Sequence, residues 1–293
     1  MNKKNILLIF GFGYTAKFIC KNFSKKNWEV FCTTRFDGKI KEIKSLNVTP
    51  IFFDDEKKIK NILNKESYIL STVPPEEGKD PVIENYGYLF KKNSERIRWA
   101  GYLSTTSVYG DKKGEWVTED TVLEPNLERS TSRVAAEKSW LRLGEKLSIK
   151  TVIFRLAGIY GPGRSLIDRL IANERIYIIN KPAHLFNRIH VDDIVGAIEM
   201  AMSSRSKSKI FNLADDLPAT QLDVAQFAAS LLKKGCPQTV SLESDMVSEM
   251  ARSFYKEEKK VSNNKLKDEL GYKLAFPSFK EGLLAIHKIS RES

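Results

Sequence analysis

The sequence predicts an α/β fold, a doubly wound parallel sheet followed by a smaller C-terminal part, and three observations carry the prediction. Strand and helix signals alternate strictly along the first half of the chain. The first strand candidate, Asn5 to Phe10, is a continuous apolar run, as burial on both faces of a parallel sheet requires. That run meets Gly11 and Gly13 at once, and a helical pattern starts immediately behind them.

Each element follows in order. Phe18, Ile19 and Phe23 fall at helical spacing between Tyr14 and Phe23, and Trp28 to Thr34 reads as the second strand, which completes one β-α-β unit. A lysine-studded helix near Lys39 to Leu46 leads to a strand around Val48 to Phe53. A helix from Lys57 to Leu63, a strand from Tyr68 to Val73, a helix from Val82 to Ser94 and a strand from Ala100 to Ser104 continue the alternation. A long helix from about Arg133 to Leu147 and a strand from Thr151 to Arg155 come next. After Gly161-Pro162-Gly163 the pattern loosens into a helix near Leu166 to Ala172 and a hairpin-like stretch from Arg175 to Arg188. A helix from Asp192 to Met202, a strand from Ile210 to Ala214, and helices at Leu222 to Lys233 and Phe279 to His287 close the chain. No internal repeat or low-complexity linker interrupts it.

The 293 residues, 42% hydrophobic and 29% charged, suit a compact globular body and leave little room for extended disorder. The net charge of +11 raises the question of a nucleic-acid partner, but lysines are scattered among acids along the whole chain and no aromatic-basic motif accompanies them. No nucleic acid is therefore expected. The apolar start lacks a signal-peptide cleavage site, and no stretch is long enough for a membrane span, so neither membrane nor export is expected. Cys20, Cys32 and Cys236 are odd in number and widely spaced, as expected of reduced thiols in a cytoplasmic protein. His184, His190 and His287 form no ligand pattern, and no metal is expected.

Gly11-Phe12-Gly13-Tyr14-Thr15-Ala16 is a G-x-G-x-x-A sequence placed where a strand becomes a helix. Gly11 permits the tight turn, Gly13 lets a pyrophosphate approach the backbone, and Ala16 lets the helix pack closely on the strand, with the helix N-terminus facing the phosphates. This is the dinucleotide-binding (Rossmann) fingerprint, and it predicts an NAD(P) cofactor. The second strand ends in Thr33-Thr34-Arg35, where NAD enzymes usually carry an acid. Arg35 reads either as the counter-charge of an NADP 2′-phosphate, with Thr33 or Thr34 adding hydrogen bonds, or as an exposed strand-end arginine; NADP is preferred over NAD. Asp54, after the third strand, is placed for the adenine amino group. Thr72, Val73 and Pro74, after the fourth, are placed along the ribose nearest the nicotinamide. The division expected is a Rossmann domain over 1–163, with 189–214 returning to it, and a substrate-binding part made of 164–188 and 215–293.

Further motifs resemble one family. Leu103-Ser104-Thr105-Thr106-Ser107-Val108-Tyr109-Gly110, Phe154 to Gly163, Arg188-Ile189-His190-Val191-Asp192-Asp193-Ile194 and Phe211-Asn212-Leu213-Ala214 are similar to stretches of the extended short-chain dehydrogenase/reductases, the NAD-dependent epimerase/dehydratases. The resemblance spans nearly the whole chain. It implies a Ser/Thr, Tyr and Lys acting together, and Thr105, four residues before Tyr109, matches the Ser/Thr. Ser132-Arg133-Val134-Ala135-Ala136-Glu137 aligns with the family's Ser-Lys-x-x-x-Glu, which puts Arg133 at the lysine and Arg129 at the tyrosine. A guanidinium stays protonated and cannot exchange protons near neutrality, so Arg129 cannot do the tyrosine's work, whereas Arg133 can still hold a ribose hydroxyl or phosphate. Tyr109, the nearest other tyrosine, is expected to shape a wall. The missing pair, the G-x-G-x-x-A variant and the Trp116-Val117-Thr118-Glu119-Asp120 loop together resemble the atypical branch typified by bacterial YeeZ-like proteins.

Thr106, Arg164 and Arg188 are the candidates for a small polar substrate, with Arg188 placed to grip an anionic group and His190 to organise its loop. The resemblance also implies homodimerisation through the helices near Val82 to Ser94 and Arg133 to Leu147. Two functions follow: an NAD(P)-binding epimerase, dehydratase or reductase acting on a small metabolite such as a nucleotide sugar with altered proton transfer, or a non-catalytic sensor of the cofactor.

Overall fold

The computed structural model describes residues 4–207 and 209–292. In chain order the elements are β1 (Asn5–Phe10), α1 (Tyr14–Phe23), β2 (Trp28–Thr34), α2 (Ile40–Ser45), β3 (Thr49–Phe52), α3 (Glu56–Leu63), β4 (Ser67–Ser71), α4 (Pro81–Lys92), β5 (Ile97–Thr105) and β6 (Trp116–Val117). Then come α5 (Glu128–Leu147), β7 (Thr151–Leu156), β8 (Gly158–Tyr160), α6 (Leu166–Ile171), β9 (Tyr177–Ile179), β10 (Arg188–His190), α7 (Val191–Ser203) and β11 (Ile210–Leu213). The last are α8 (Gln221–Leu231), β12 (Gln238–Val240), α9 (Glu249–Phe254), β13 (Lys260–Val261), α10 (Asn264–Asp268) and α11 (Phe279–Glu292).

Seven strands form one sheet in the order β11-β7-β5-β4-β1-β2-β3, so β1 lies between β4 and β2 with parallel partners on both sides. That order places the end of β1 at the topological switch point, where doubly wound sheets bind their ligands. The chain divides into two compact units: Met1–Val108, Leu127–Arg155 and Val195–Phe211 make the first, and Tyr109–Asn126, Leu156–Ile194 and Asn212–Ser293 the second.

In the first unit, Leu8, Phe10, Ile69, Ala100 and Ile153 of the sheet pack against Tyr86, Leu89 and Phe90 of α4 and Ala136 and Trp140 of α5. Asp80 starts α4 by accepting from the backbone N–H groups of Val82 and Ile83, and its other oxygen takes the Trp140 indole N–H at 3.0 Å. One carboxylate thus caps α4 and ties it to α5. In the second unit α6, α8 and α11 enclose Ile167, Ala225, Ala228, Phe279, Leu283 and Ile286. Among the described residues, no helix is long and apolar enough to cross a membrane.

Two expectations need correction. The stretch from Arg175 to Arg188 is not a hairpin: Tyr177–Ile179 pairs in parallel with Gln238–Val240, and Arg188–His190 with Gly158–Tyr160. Partners that far along the chain leave no local signal. Helix α5 starts at Glu128 rather than near Arg133, because its first turns carry the polar run Glu128 to Ser132, which has no apolar period to read.

Candidate functional site

The turn after β1 is held from three sides. Gly11 has φ +89°, and a Cβ there would lie 2.9 Å from Thr72 Oγ1 and 3.1 Å from Val73 Cγ2, so only glycine fits. Its N–H donates to the buried Thr33 hydroxyl at 3.0 Å. The Thr72 hydroxyl lies 3.1 and 3.2 Å from the carbonyl oxygens of Phe10 and Gly11 and fastens the turn to the end of β4.

Gly13 is the opposite case. It is the N-cap of α1 with extended backbone, φ −103° and ψ −168°, and nothing lies within 4 Å of where its Cβ would stand. No side chain caps the helix and no acid occupies its first turn. The start of α1 therefore presents backbone donors and a partial positive charge to open space, the geometry that takes a phosphate. Thr15 and Ala16 are buried beneath.

The other expected cofactor residues follow the ends of β2, β3 and β4. Thr34 Oγ1 accepts from the Phe36 N–H at 3.1 Å and shapes the turn that carries Arg35, whose guanidinium meets Glu76 at 3.1 Å. Asp54 and Pro74 are exposed, and Val73 is buried. At the end of β5, Thr105 Oγ1 accepts from the Ser107 N–H at 3.2 Å, and Thr106 begins the short turn that follows.

On α5, Arg129 is exposed and Arg133 half-buried. One guanidinium nitrogen of Arg133 donates to the Tyr102 hydroxyl at 2.9 Å and the Leu103 carbonyl at 2.8 Å, tying α5 to β5. Burial pushes the Tyr102 phenol well above its usual range, with the Arg133 charge pulling the other way. Beneath them, Glu137 and Arg155, both almost fully buried, form a fork with contacts of 2.8 to 3.2 Å, and the Ser104 hydroxyl donates to the same carboxylate at 2.5 Å. This triad fixes the strand end that carries Thr105. A sequence reading misses it, because only the fold brings residues 104, 137 and 155 together.

In the second unit Tyr109 is buried and donates to Asn212 Oδ1 at 2.6 Å. Arg164 is exposed on the turn at Gly161 to Gly163. Arg188 is half-buried, and one of its nitrogens donates to the carbonyls of Phe186 and Ala219, both at 2.9 Å. Asp215 beside it is buried with Oδ2 lacking a hydrogen-bond partner, and burial pushes its carboxyl up to about 8 against the pull of Arg188. His190 accepts from the Asp192 N–H at 3.2 Å and packs on Phe276 and Tyr160; burial holds it at about 4, so it is neutral at physiological pH. Among the described residues no cluster of His, Cys, Asp and Glu could hold a metal ion.

Known proteins resemble this arrangement. A model of the NAD dependent epimerase/dehydratase family matches residues 7–214. The protein YeeZ of Escherichia coli K12 is 33% identical over 140 residues, which are 47% of this chain and 48% of that protein. The chain spans about half the length or less of the curated relatives it matches. A conserved protein of unknown function from Silicibacter pomeroyi has a solved structure that superposes with a TM-score of 0.88 at 34% identity, covering 98% of this chain and 99% of the other. The UDP-glucuronic acid 4-epimerase of Bacillus cereus, solved with NAD, gives 0.74 at 18% identity, with 98% and 99% covered, a likeness of fold alone.

Proposed function

Because this chain belongs to the NAD dependent epimerase/dehydratase family, we propose that it binds NADP in preference to NAD at the Gly11–Ala16 turn and acts on a small polar metabolite of the nucleotide-sugar kind. One observation carries the reading: open space over Gly13 at the uncapped start of α1, next to a Gly11 turn pinned by Thr33 and Thr72. A phosphate approaching the Gly13 backbone meets no atom within 4 Å of the Cβ position. The cofactor, when bound, supplies reversible redox chemistry at a substrate carbon that bears a hydroxyl.

The residues divide the work by their chemistry. Backbone donors of the turn and of α1 hold the pyrophosphate, Thr34 and Arg35 the 2′-phosphate, and Asp54 the adenine amino group. Val73 and Pro74 would line the nicotinamide side, and the spare donors of Arg133 would serve a ribose hydroxyl. Thr105 orients a substrate hydroxyl, a role that needs no proton exchange, and Thr106 stands beside it. In the second unit we assign an anionic group of the substrate to Arg188, with Arg164 as the further candidate. A homodimer through α4 and α5 belongs to the same reading, and light scattering on the purified chain tests it.

Calorimetric titration with NADPH and NADH, without substrate, tests the cofactor reading. Selective NADPH binding supports it, and binding of neither overturns it. The arginines at positions 129 and 133 also favour a second reading, a binding protein that senses the cofactor without turnover. Cofactor binding combined with no conversion across a panel of UDP- and dTDP-sugars would favour the sensor.

A further inference from the structure

Arg35 and Glu76 belong to loops on opposite sides of β1. Arg35 directly follows β2 and Glu76 follows β4, and β1 with its Gly11 turn runs between those two strands. Neighbouring strands lie about 4.8 Å apart, so β2 and β4 are separated by roughly 10 Å. The 3.1 Å contact between Arg35 Nη1 and Glu76 Oε1 bridges that gap.

Both ends of the bridge stand on firm backbone. Thr34 Oγ1 holds the Phe36 N–H on one side. On the other, Glu76 and Lys79 exchange two backbone hydrogen bonds of 2.9 Å around Glu77 and Gly78, whose φ values of +49° and +77° make a two-residue mirror-type turn. The chain then enters α4 through the buried cap Asp80. Only the two side chains need to move for the pair to open, and each is a little more than half exposed.

We propose that Glu76 is a specificity-determining residue that sets how strongly this protein distinguishes NADPH from NADH, by competing with the 2′-phosphate for Arg35. This rests on the dinucleotide reading given above. For NADPH to use Arg35, the guanidinium must exchange the Glu76 carboxylate for the phosphate. NADH has a neutral 2′-hydroxyl and leaves the pair closed. Glu76 therefore weakens NADPH while leaving NADH nearly untouched. Its effect is bounded by the worth of an exposed ion pair, which corresponds to about two- to fivefold in affinity.

The test is titration of the full chain with NADPH and with NADH, for the unsubstituted protein, Glu76→Gln, Arg35→Ala and the double variant. Glu76→Gln is expected to tighten NADPH about two- to fivefold with NADH unchanged. Arg35→Ala is expected to weaken NADPH about tenfold or more with little change for NADH, since a charge-assisted hydrogen bond is lost. In the Arg35→Ala background, Glu76→Gln is expected to do nothing. If Arg35→Ala is selective but Glu76→Gln leaves the NADPH to NADH ratio unchanged, the role of Glu76 is overturned and the NADP reading stands. If Glu76→Gln tightens NADPH equally in both backgrounds, direct repulsion replaces competition and the proposal fails. If Arg35→Ala itself leaves the ratio unchanged, the NADP reading fails and the proposal with it.

Discussion

Gly13→Asp separates the folding role of the first turn from its binding role. Gly13 has backbone dihedrals any residue adopts, and nothing lies within 4 Å of where its Cβ would stand, so the substitution meets no steric barrier. Aspartate is moreover a better N-cap than glycine, and the start of α1 has no side-chain cap. The variant is expected to fold with equal or slightly raised stability, by a few tenths of a kcal/mol. Binding should respond in the opposite direction. A carboxylate about 4 Å from one pyrophosphate charge costs about 4 kcal/mol at an effective dielectric constant of about 20, a factor of roughly 10³ in Kd. The assay pairs thermal melting with calorimetric titration of NADPH and NADH. Unchanged melting with both affinities lost is the expected result. Unchanged affinity in a folded Gly13→Asp protein would refute the assignment of the phosphate site to this turn.

Three further perturbations test the two units of the fold. Glu137→Gln leaves the Arg155 guanidinium buried beside a neutral group and is expected to destabilise by about 3 kcal/mol or more, read by urea unfolding followed by circular dichroism; a change below about 1 kcal/mol would show that the fork is incidental. Gly110→Ala, at φ +70° with a Cβ 1.8 Å from the Glu124 carbonyl oxygen, is expected to cost about 2 kcal/mol or more, and a stability equal to that of the parent in the same assay would contradict the loop geometry. Burial holds His190 at about 4 and lowers His184 as well, so the unfolded chain binds these protons first. Their contribution is fully present above pH 6.5 and is lost as pH falls towards 4, with a slope of up to about 1.4 kcal/mol per pH unit from His190. His190→Gln is expected to flatten that slope, and an unaltered profile would show that another group governs acid unfolding.

How much of this was legible in the sequence depended on how local the signal was. The turn at Gly11 to Ala16 could be read because strand, glycines and helix follow one another within a dozen residues, and each small residue has a steric reason. The alternation from β1 to β5 could be read for the same reason, since a parallel sheet repeats a unit that is local in sequence. The pairing of β9 with β12 could not, because their partners are some sixty residues apart and the strands have only three residues each. The Ser104, Glu137 and Arg155 triad, the Asp80 contact with Trp140 and the Arg35 contact with Glu76 escaped for a related reason. Polar partners leave no periodicity, and only the sheet order shows that the loops after β2 and β4 face each other across β1.

The two arginines on α5 change what the frame can do without dismantling it. A lysine at position 133 would offer one ammonium with three donors, whereas the guanidinium has five in a rigid fork. One nitrogen serves Tyr102 and Leu103, so Arg133 can anchor α5 to β5 and still present donors elsewhere. Position 129 differs in its chemistry. A tyrosine there could exchange a proton with a substrate hydroxyl, while a guanidinium only offers fixed positive charge, which favours an anion and cannot accept a proton near neutrality. Arg133 is thus compatible with cofactor binding, whereas a guanidinium at position 129 can serve as neither acid nor base near neutrality. Any turnover must therefore draw its proton from a group other than residue 129, and the Arg129→Tyr variant discriminates directly. Gain of epimerase or dehydratase activity on a nucleotide sugar would show that the remaining residues are already in place, and unchanged activity would show that the departure reaches beyond this one position.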